Sequence, residues 1–266
     1  MEKLRTLQSL VETLSEHSGQ AVILALHKGG VERWSYSELA DHVQRLAHGL
    51  ATAGVGCGDH VALLADNRPA WIIACLAVLK AGAVVVPVDV QFGSQVLGHI
   101  LHDSGARVIF TTAAASKRLE GLDTAVPMRP IVLDVEVDDE RSWRRLLTDK
   151  AGELPQVEPE AVAALFYTSG TTGPPKGVPL THGQLVFQLH AILAADLVRQ
   201  DDRLLLPLPL HHVYPFVLGF LAPLALGLPI VMPQSLTGQQ IVCALQEGQV
   251  TVVIGVPRLY SRVVPQ

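Results

Sequence analysis

Twelve consecutive residues, Tyr167-Thr168-Ser169-Gly170-Thr171-Thr172-Gly173-Pro174-Pro175-Lys176-Gly177-Val178, gather four small hydroxyl side chains, three glycines and one lysine. Glycine lets backbone N–H groups approach a ligand closely. The hydroxyls add donors, and Lys176 adds a mobile point charge. Clustered N–H groups with a cation suit a polyphosphate. The spacing is not that of the common NTPase loop, which needs Gly, four residues, then Gly-Lys-Ser/Thr. Counted from Gly170, the second glycine would fall on Pro175, and Gly177 rather than a hydroxyl follows Lys176. A flexible linker would carry polar flanks. Here the apolar stretch 161–166 runs straight into the loop and reads as a buried strand.

A second candidate lies in Leu206-Pro207-Leu208-Pro209-Leu210-His211-His212-Val213-Tyr214-Pro215-Phe216. Two adjacent histidines suggest metal, but no third Cys, His or carboxylate stands nearby at a ligand spacing, so no metal site is expected. A histidine pair capping a buried helix is the alternative, and adjacent helical residues do not share a face, which favours a structural role for His211. A third block, Val250 to Tyr260, reads as a strand followed by a helix that starts at Pro257. Its Arg258 reads as an exposed helix residue rather than an anion contact. Gly54, Gly56 and Gly58 precede the strand at Val61 instead of following one, which excludes a dinucleotide fingerprint.

The elements that must carry these groups alternate. Strand-like runs fall at 21–26, 61–65, 83–88, 107–111, 130–133, 161–167, 203–206, 228–232 and 251–254. Helical patterns fall at 37–53, 69–81, 94–104, 141–148, 181–197 and 237–247, and an amphipathic pattern covers 1–14. Ser35 and Glu38 form a capping-box signature and Gly54 a stop. Strand–helix alternation predicts mostly parallel sheets with helices on both faces. The stretch 148–159, with Gly152, Pro155 and Pro159, is the clearest loop.

A length of 266 residues with 49% hydrophobic and 17% charged residues allows a large core in one domain or two modest ones. The net charge of −5 is spread out apart from the acidic run 134–140. No basic patch with interleaved aromatics is present, so nucleic acid is not an expected partner. Cys57, Cys75 and Cys243 are widely spaced and read as buried free thiols in a reducing, cytoplasmic setting. The uncharged segment 213–232 is long enough to span a bilayer, but its prolines and glycines fit a buried helix, a Gly turn and a core strand better.

The run from Tyr167 to Val178, continuing into Pro179-Leu180-Thr181-His182-Gly183, closely resembles the phosphate-binding loop of the adenylate-forming (AMP-binding) enzymes. These are acyl-CoA synthetases, luciferases and peptide-synthetase adenylation domains, and the chain is most similar to long-chain fatty acid–CoA ligases. The Leu206–Phe216 block resembles the family's next motif, with His211 in the usual aromatic place and His212 in the histidine place. Blocks 56–83 and 250–260 also fit. The resemblance implies ATP-dependent activation of a carboxylic, fatty acid to acyl-AMP and transfer to coenzyme A, with Mg²⁺. It implies that Thr168, Ser169, Gly170, Thr171, Thr172, Gly173, Lys176 and His212 face the ATP phosphates. Val213 and Tyr214 would border the acyl pocket.

The family's Tyr-Gly-x-Thr-Glu and Thr-Gly-Asp motifs and its C-terminal lysine domain do not occur in the 266 residues. The chain is therefore expected to be a truncated N-terminal portion, inactive alone, with no catalytic residue assigned. By family topology residues 1–54 begin one α/β subdomain, 55–202 form another, and 203–266 continue the first. Expected partners are a small-molecule carboxylic acid and ATP, with peripheral membrane contact and self-association through the part after Arg203 as further expectations. An acyl-carrier-protein or aryl-acid ligase of the same fold, and a non-catalytic nucleotide-binding or structural fragment, are the alternatives.

Overall fold

The computed structural model describes residues 4–17, 19–150, 152–168 and 173–257. In chain order its strands are β1 (Ala21–His27), β2 (Gly30–Ser35), β3 (His60–Leu64), β4 (Val84–Pro87), β5 (Val108–Thr111) and β6 (Arg129–Val132). Then follow β7 (Val162–Thr168), β8 (Lys176–Thr181), β9 (Leu204–Leu205), β10 (Ile230–Met232) and β11 (Val252–Val253). They form two sheets, β11-β9-β10-β1-β2 and β6-β5-β3-β4-β7-β8. Both sheets are parallel except at one edge, where β2 and β8 each fold back antiparallel on their predecessor. The α/β reading with mostly parallel sheets is thus the fold of the chain.

The inner strands are apolar on both faces, as doubly covered parallel strands must be. Along β3, Val61 and Leu63 join the core between the sheets, while Ala62 and Leu64 face the other way. Outside that sheet, helix Ser94–Ser104 packs Leu97, Ile100 and Leu101. Outside the other, helix Gly238–Glu247 packs Ile241 and Ala244. Helix Pro69–Lys80 is apolar all round, and Trp71 to Leu79 are all buried, which suits an element enclosed on every side.

Helix Tyr36–Thr52 starts at the capping box read from sequence: Ser35 accepts from the Glu38 N–H, and Glu38 reaches back to the Ser35 N–H. Four expectations are corrected. The helix placed at 141–148 is a short 3-10 turn, Trp143–Leu146, which drives Trp143 into the core. The strands β2 and β8 were not anticipated. The amphipathic helix spans Leu7–Thr13. Of the three free cysteines only Cys75 is buried; Cys57 is exposed and Cys243 half-buried. Burial pushes the Cys75 thiol well above its usual pKa, so it is inert packing.

The apolar segment 213–232 resolves into a helix and a strand, as its prolines suggested. Helical residues run from Val213 to Leu226, with a π-helical stretch at Phe216–Leu221 where the Ala222 N–H reaches back five residues to Val217. Proline in a helix clashes with the carbonyl four residues earlier. The widened turn just ahead of Pro223 relieves that clash. Gly227 closes the helix in the left-handed region, at φ +73°. Among the described residues no helix is long and apolar enough to cross a membrane.

Candidate functional site

The hydroxyl- and glycine-rich run is the connection of an antiparallel hairpin, not a strand–loop–helix turn. β7 and β8 pair in register from Leu165/Pro179 through Phe166/Val178 and Tyr167/Gly177 to Thr168/Lys176. Thr168 and Lys176 are therefore cross-strand neighbours at the hairpin mouth, and both are exposed. Gly173 is an exposed residue of the connection. Ser169, Gly170, Thr171 and Thr172, also expected at the site, lie outside the described residues, as does Arg258. Gly177 packs closely: a Cβ there would meet Leu165 Cδ1 at 3.0 Å and the Tyr167 ring at 3.4 Å, so the Leu165 side chain would have to give by a few tenths of an ångström.

Neighbouring elements hold both stems of the hairpin. Tyr167 donates its hydroxyl to Asp103 Oδ2 at 2.7 Å. Partial burial and the Asp103 carboxylate push the Tyr167 phenol well above its usual pKa, so it remains a donor. His99 Nε2 lies 2.9 Å from the Pro175 carbonyl. A carbonyl only accepts, so His99 is the donor. On the inner face, Phe166 meets Phe216 edge to face with centroids 5.3 Å apart.

Phe216 belongs to the second motif. Asn67, at the end of β3, clamps the start of that motif. Its side-chain amide donates to the Leu208 carbonyl at 2.8 Å and accepts from the Leu210 N–H at 3.0 Å. His212 is the exposed residue that opens the helix from Val213, with no side-chain cap bond. Its carbonyl accepts from the Phe216 N–H at 3.1 Å. Val213 and Tyr214 are exposed, 40% and 45%, and the Tyr214 hydroxyl lies 3.5 Å from the Gly255 carbonyl of the third block. The second block thus touches the strand that leads into the first, through Phe166–Phe216, and the third block, through Tyr214–Gly255.

An exposed lysine paired across the hairpin with a hydroxyl is the donor chemistry that a polyphosphate calls for. Lys176 is exposed, and among the described residues its ammonium has no carboxylate within ion-pair distance. Asp103, the carboxylate bound to this hairpin, is already engaged by Tyr167. An Mg²⁺ ion here would take its oxygens from the phosphates and water rather than from a protein carboxylate cage.

A family model described as AMP-binding enzyme matches residues 12–266. The chain belongs to the AMP-binding enzyme family. It is 34% identical over 239 residues to a feruloyl-CoA synthase of an Amycolatopsis species, covering 90% of this chain and 46% of that protein. It is 31% identical over 241 residues to a long-chain-fatty-acid–CoA ligase of Mycobacterium bovis, covering 85% of this chain and 39% of the ligase. Among solved structures, a Mycobacterium tuberculosis fatty acyl CoA synthetase superposes with TM-score 0.84 at 23% identity, over 99% of this chain and 51% of that one. The chain spans less than half the length of these two curated relatives.

In this member of the AMP-binding enzyme family, sequence reading missed the His99 and Asp103 contacts to the hairpin and also a pairing in the second motif. His211 Nε2 lies 3.5 Å from Asp89 Oδ2, at the carboxyl end of β4. Both line a cavity of about 430 Å³, together with Asp66, Gln91, Gln234 and Ser235. Burial holds the His211 pKa below the usual histidine value and the neighbouring His212 adds to this, while Asp89 and Asp66 oppose it. Open α/β sheets bind ligands outside the carboxyl ends of their strands, and this cavity lies there, between the ends of β3 and β4 and those of β9 and β10. No local signal could have shown the pairing, because its partners are far apart in sequence.

Proposed function

We propose that this chain supplies the ATP-binding hairpin and part of the acid pocket of an AMP-forming acid–thiol ligase. In that reaction a carboxylate oxygen attacks the α-phosphorus of ATP, the bond to the β-phosphate breaks, and pyrophosphate leaves. The acyl group then passes from AMP to the thiol of coenzyme A. The hairpin residues Thr168, Ser169, Gly170, Thr171, Thr172 and Gly173 would bind the phosphates. Lys176 would neutralise the charge that develops on the leaving pyrophosphate. His212 would stand beside the phosphates, and Val213 and Tyr214 would border the acid. No residue here acts as nucleophile or proton-transfer base; the contribution is positioning and electrostatics.

The observation that carries this reading is the pairing of Thr168 with Lys176 across the hairpin mouth, which sets an exposed cation opposite a hydroxyl. Titration calorimetry with ATP and Mg²⁺ on the chain and on Lys176→Ala tests it. The expected result is binding that weakens about tenfold or more in the variant, the size of a lost charge-assisted contact. Equal affinity in the two proteins overturns it.

A fatty acid is the proposed substrate class, and the M. bovis relative supports it. An aryl acid is the second reading, favoured by the feruloyl-CoA synthase at 34% identity. In both readings these 266 residues alone give no acid-dependent ATP–pyrophosphate exchange, because the family's adenine and ribose motifs are not among them. Two subdomains, 55–202 and the combination of 1–54 with 203–266, are part of the proposal. The strand composition of the two sheets supports that division.

A further inference from the structure

Helix Ser94–Ser104 touches the hairpin twice, with two side chains four residues apart on one face. His99 donates to the carbonyl of Pro175, and Asp103 accepts from the hydroxyl of Tyr167. Pro175 immediately precedes Lys176, and Tyr167 immediately precedes Thr168. Each contact therefore lies one residue from the last cross-strand pair, one on either stem. The opposite side of the helix is anchored: Leu97, Ile100 and Leu101 pack with Ala62, Leu64 and Val86 of the sheet. Gly105 closes it in the left-handed region at φ +62°. The pairing of β7 with β8 ends at Thr168 and Lys176. Past that point the His99 bond holds the β8 stem at Pro175, while Asp103 fixes Tyr167 in the last pair but one, so both stems are tied to the same helix.

We propose that His99 and Asp103 are positioning residues, a clamp that sets the spacing of Thr168 and Lys176 for phosphate binding. The proposal rests on the phosphate-binding reading of the hairpin. A bond from a phenol to a carboxylate is worth more than a neutral bond to a carbonyl. Asp103 should therefore matter more than His99. His99→Gln keeps an N–H donor for the Pro175 carbonyl, whereas His99→Ala does not.

The test uses the full chain and two readouts: affinity for ATP with Mg²⁺ by calorimetry, and amide hydrogen exchange at Lys176 and Gly177 by NMR. His99→Ala is expected to weaken ATP about fivefold and Asp103→Ala about tenfold, the loss of one neutral and one charge-assisted bond. Both should speed exchange at Lys176 and Gly177 while leaving exchange in β3 and β4 unchanged. His99→Gln should restore the wild-type values, and Tyr167→Phe should add nothing to Asp103→Ala. Unchanged affinity and exchange in both alanine variants overturn the clamp. So does exchange that rises equally throughout the sheet, which would mark a general structural role. If the unaltered chain binds no ATP, the phosphate reading fails, and with it the clamp's proposed purpose. The exchange data then decide whether the stems are held as described.

Discussion

Phe166 and Phe216 meet edge to face, 5.3 Å between centroids, and so join the strand that leads into the hairpin to the helix that follows the histidine pair. Phe216 also contacts Trp71 and Phe220, at 6.4 and 5.3 Å. Both phenylalanines are almost fully buried. Truncating a buried phenylalanine in a close-packed core typically costs about 3–5 kcal/mol. Phe216→Ala should lower the urea-unfolding free energy by about that amount. A loss below about 1 kcal/mol, the scale of an ordinary surface change, would mean that the two motifs are not packed together in solution.

His182 is fully buried at the start of helix His182–Ala194. Its Nδ1 accepts from the Leu7 N–H at 3.2 Å, which puts the ring proton on Nε2, and Nε2 has no partner among the described residues. Burial pushes the His182 pKa down to about 4 from 6.5. Between those values the unfolded chain takes up a proton that the folded one refuses. The stabilising contribution is therefore complete above pH 6.5 and shrinks as pH falls through about 4, with a total of about 3 kcal/mol. His182→Asn keeps an acceptor for Leu7 and does not titrate. Its stability should drop less than that of the unaltered chain between pH 7 and pH 4.5, by about 2 kcal/mol in denaturant titrations. Parallel pH profiles for the two proteins would refute the assignment.

The fold was legible wherever burial is expressed locally. The apolar runs of β3, β4, β5 and β7 and the Ser35–Glu38 box needed no tertiary information. Two antiparallel edge strands were missed for opposite reasons. β8 carries Gly177 and Pro179, which read as loop, yet an edge strand tolerates both because one of its sides faces no neighbour. β2 alternates weakly and has no buried residue, so it shows no core stripe. The 141–148 pattern looked helical because its apolar spacing serves Trp143 and Leu146, but four residues of 3-10 turn suffice to seat them. At the site, residue types betrayed the hairpin, since its chemistry is contiguous. His99, Asp103 and the Asp89–His211 pair are composed across long sequence gaps, and only folding brings their partners together.

Asp89 and His211 make a directional test of that cavity. Burial lowers the pKa of His211, and the Asp89 carboxylate at 3.5 Å pulls it back up. Asp89→Asn keeps the size and removes the charge. The His211 pKa, followed by the imidazole Cε1–H chemical shift, should then move further down. No movement, or an upward one, would show that the two groups do not face each other in solution.

Gly49 gives a sign reversal against simple propensity. It lies inside helix Tyr36–Thr52, where replacing glycine by alanine ordinarily stabilises by about 1 kcal/mol. Here a Cβ would sit 1.8 Å from the Leu146 carbonyl oxygen and 2.8 Å from its carbon. Those are backbone atoms and cannot rotate away. The turn that presents them is pinned by the buried Trp143 and by the Thr148 N–H on the Arg45 carbonyl, 3.4 Å away. Overpacking of this kind costs about 1–3 kcal/mol or more, which exceeds the propensity gain. Gly49→Ala should therefore destabilise the chain. Gly98, inside helix Ser94–Ser104, is the matched control, because a Cβ there would meet nothing closer than Leu122 Cδ2 at 3.9 Å. Gly98→Ala should be neutral or stabilise by up to about 1 kcal/mol. Urea midpoints measured side by side decide it: the two substitutions should shift in opposite directions. A Gly49→Ala chain as stable as the Gly98→Ala chain would mean that the 3-10 turn does not rest on this helix.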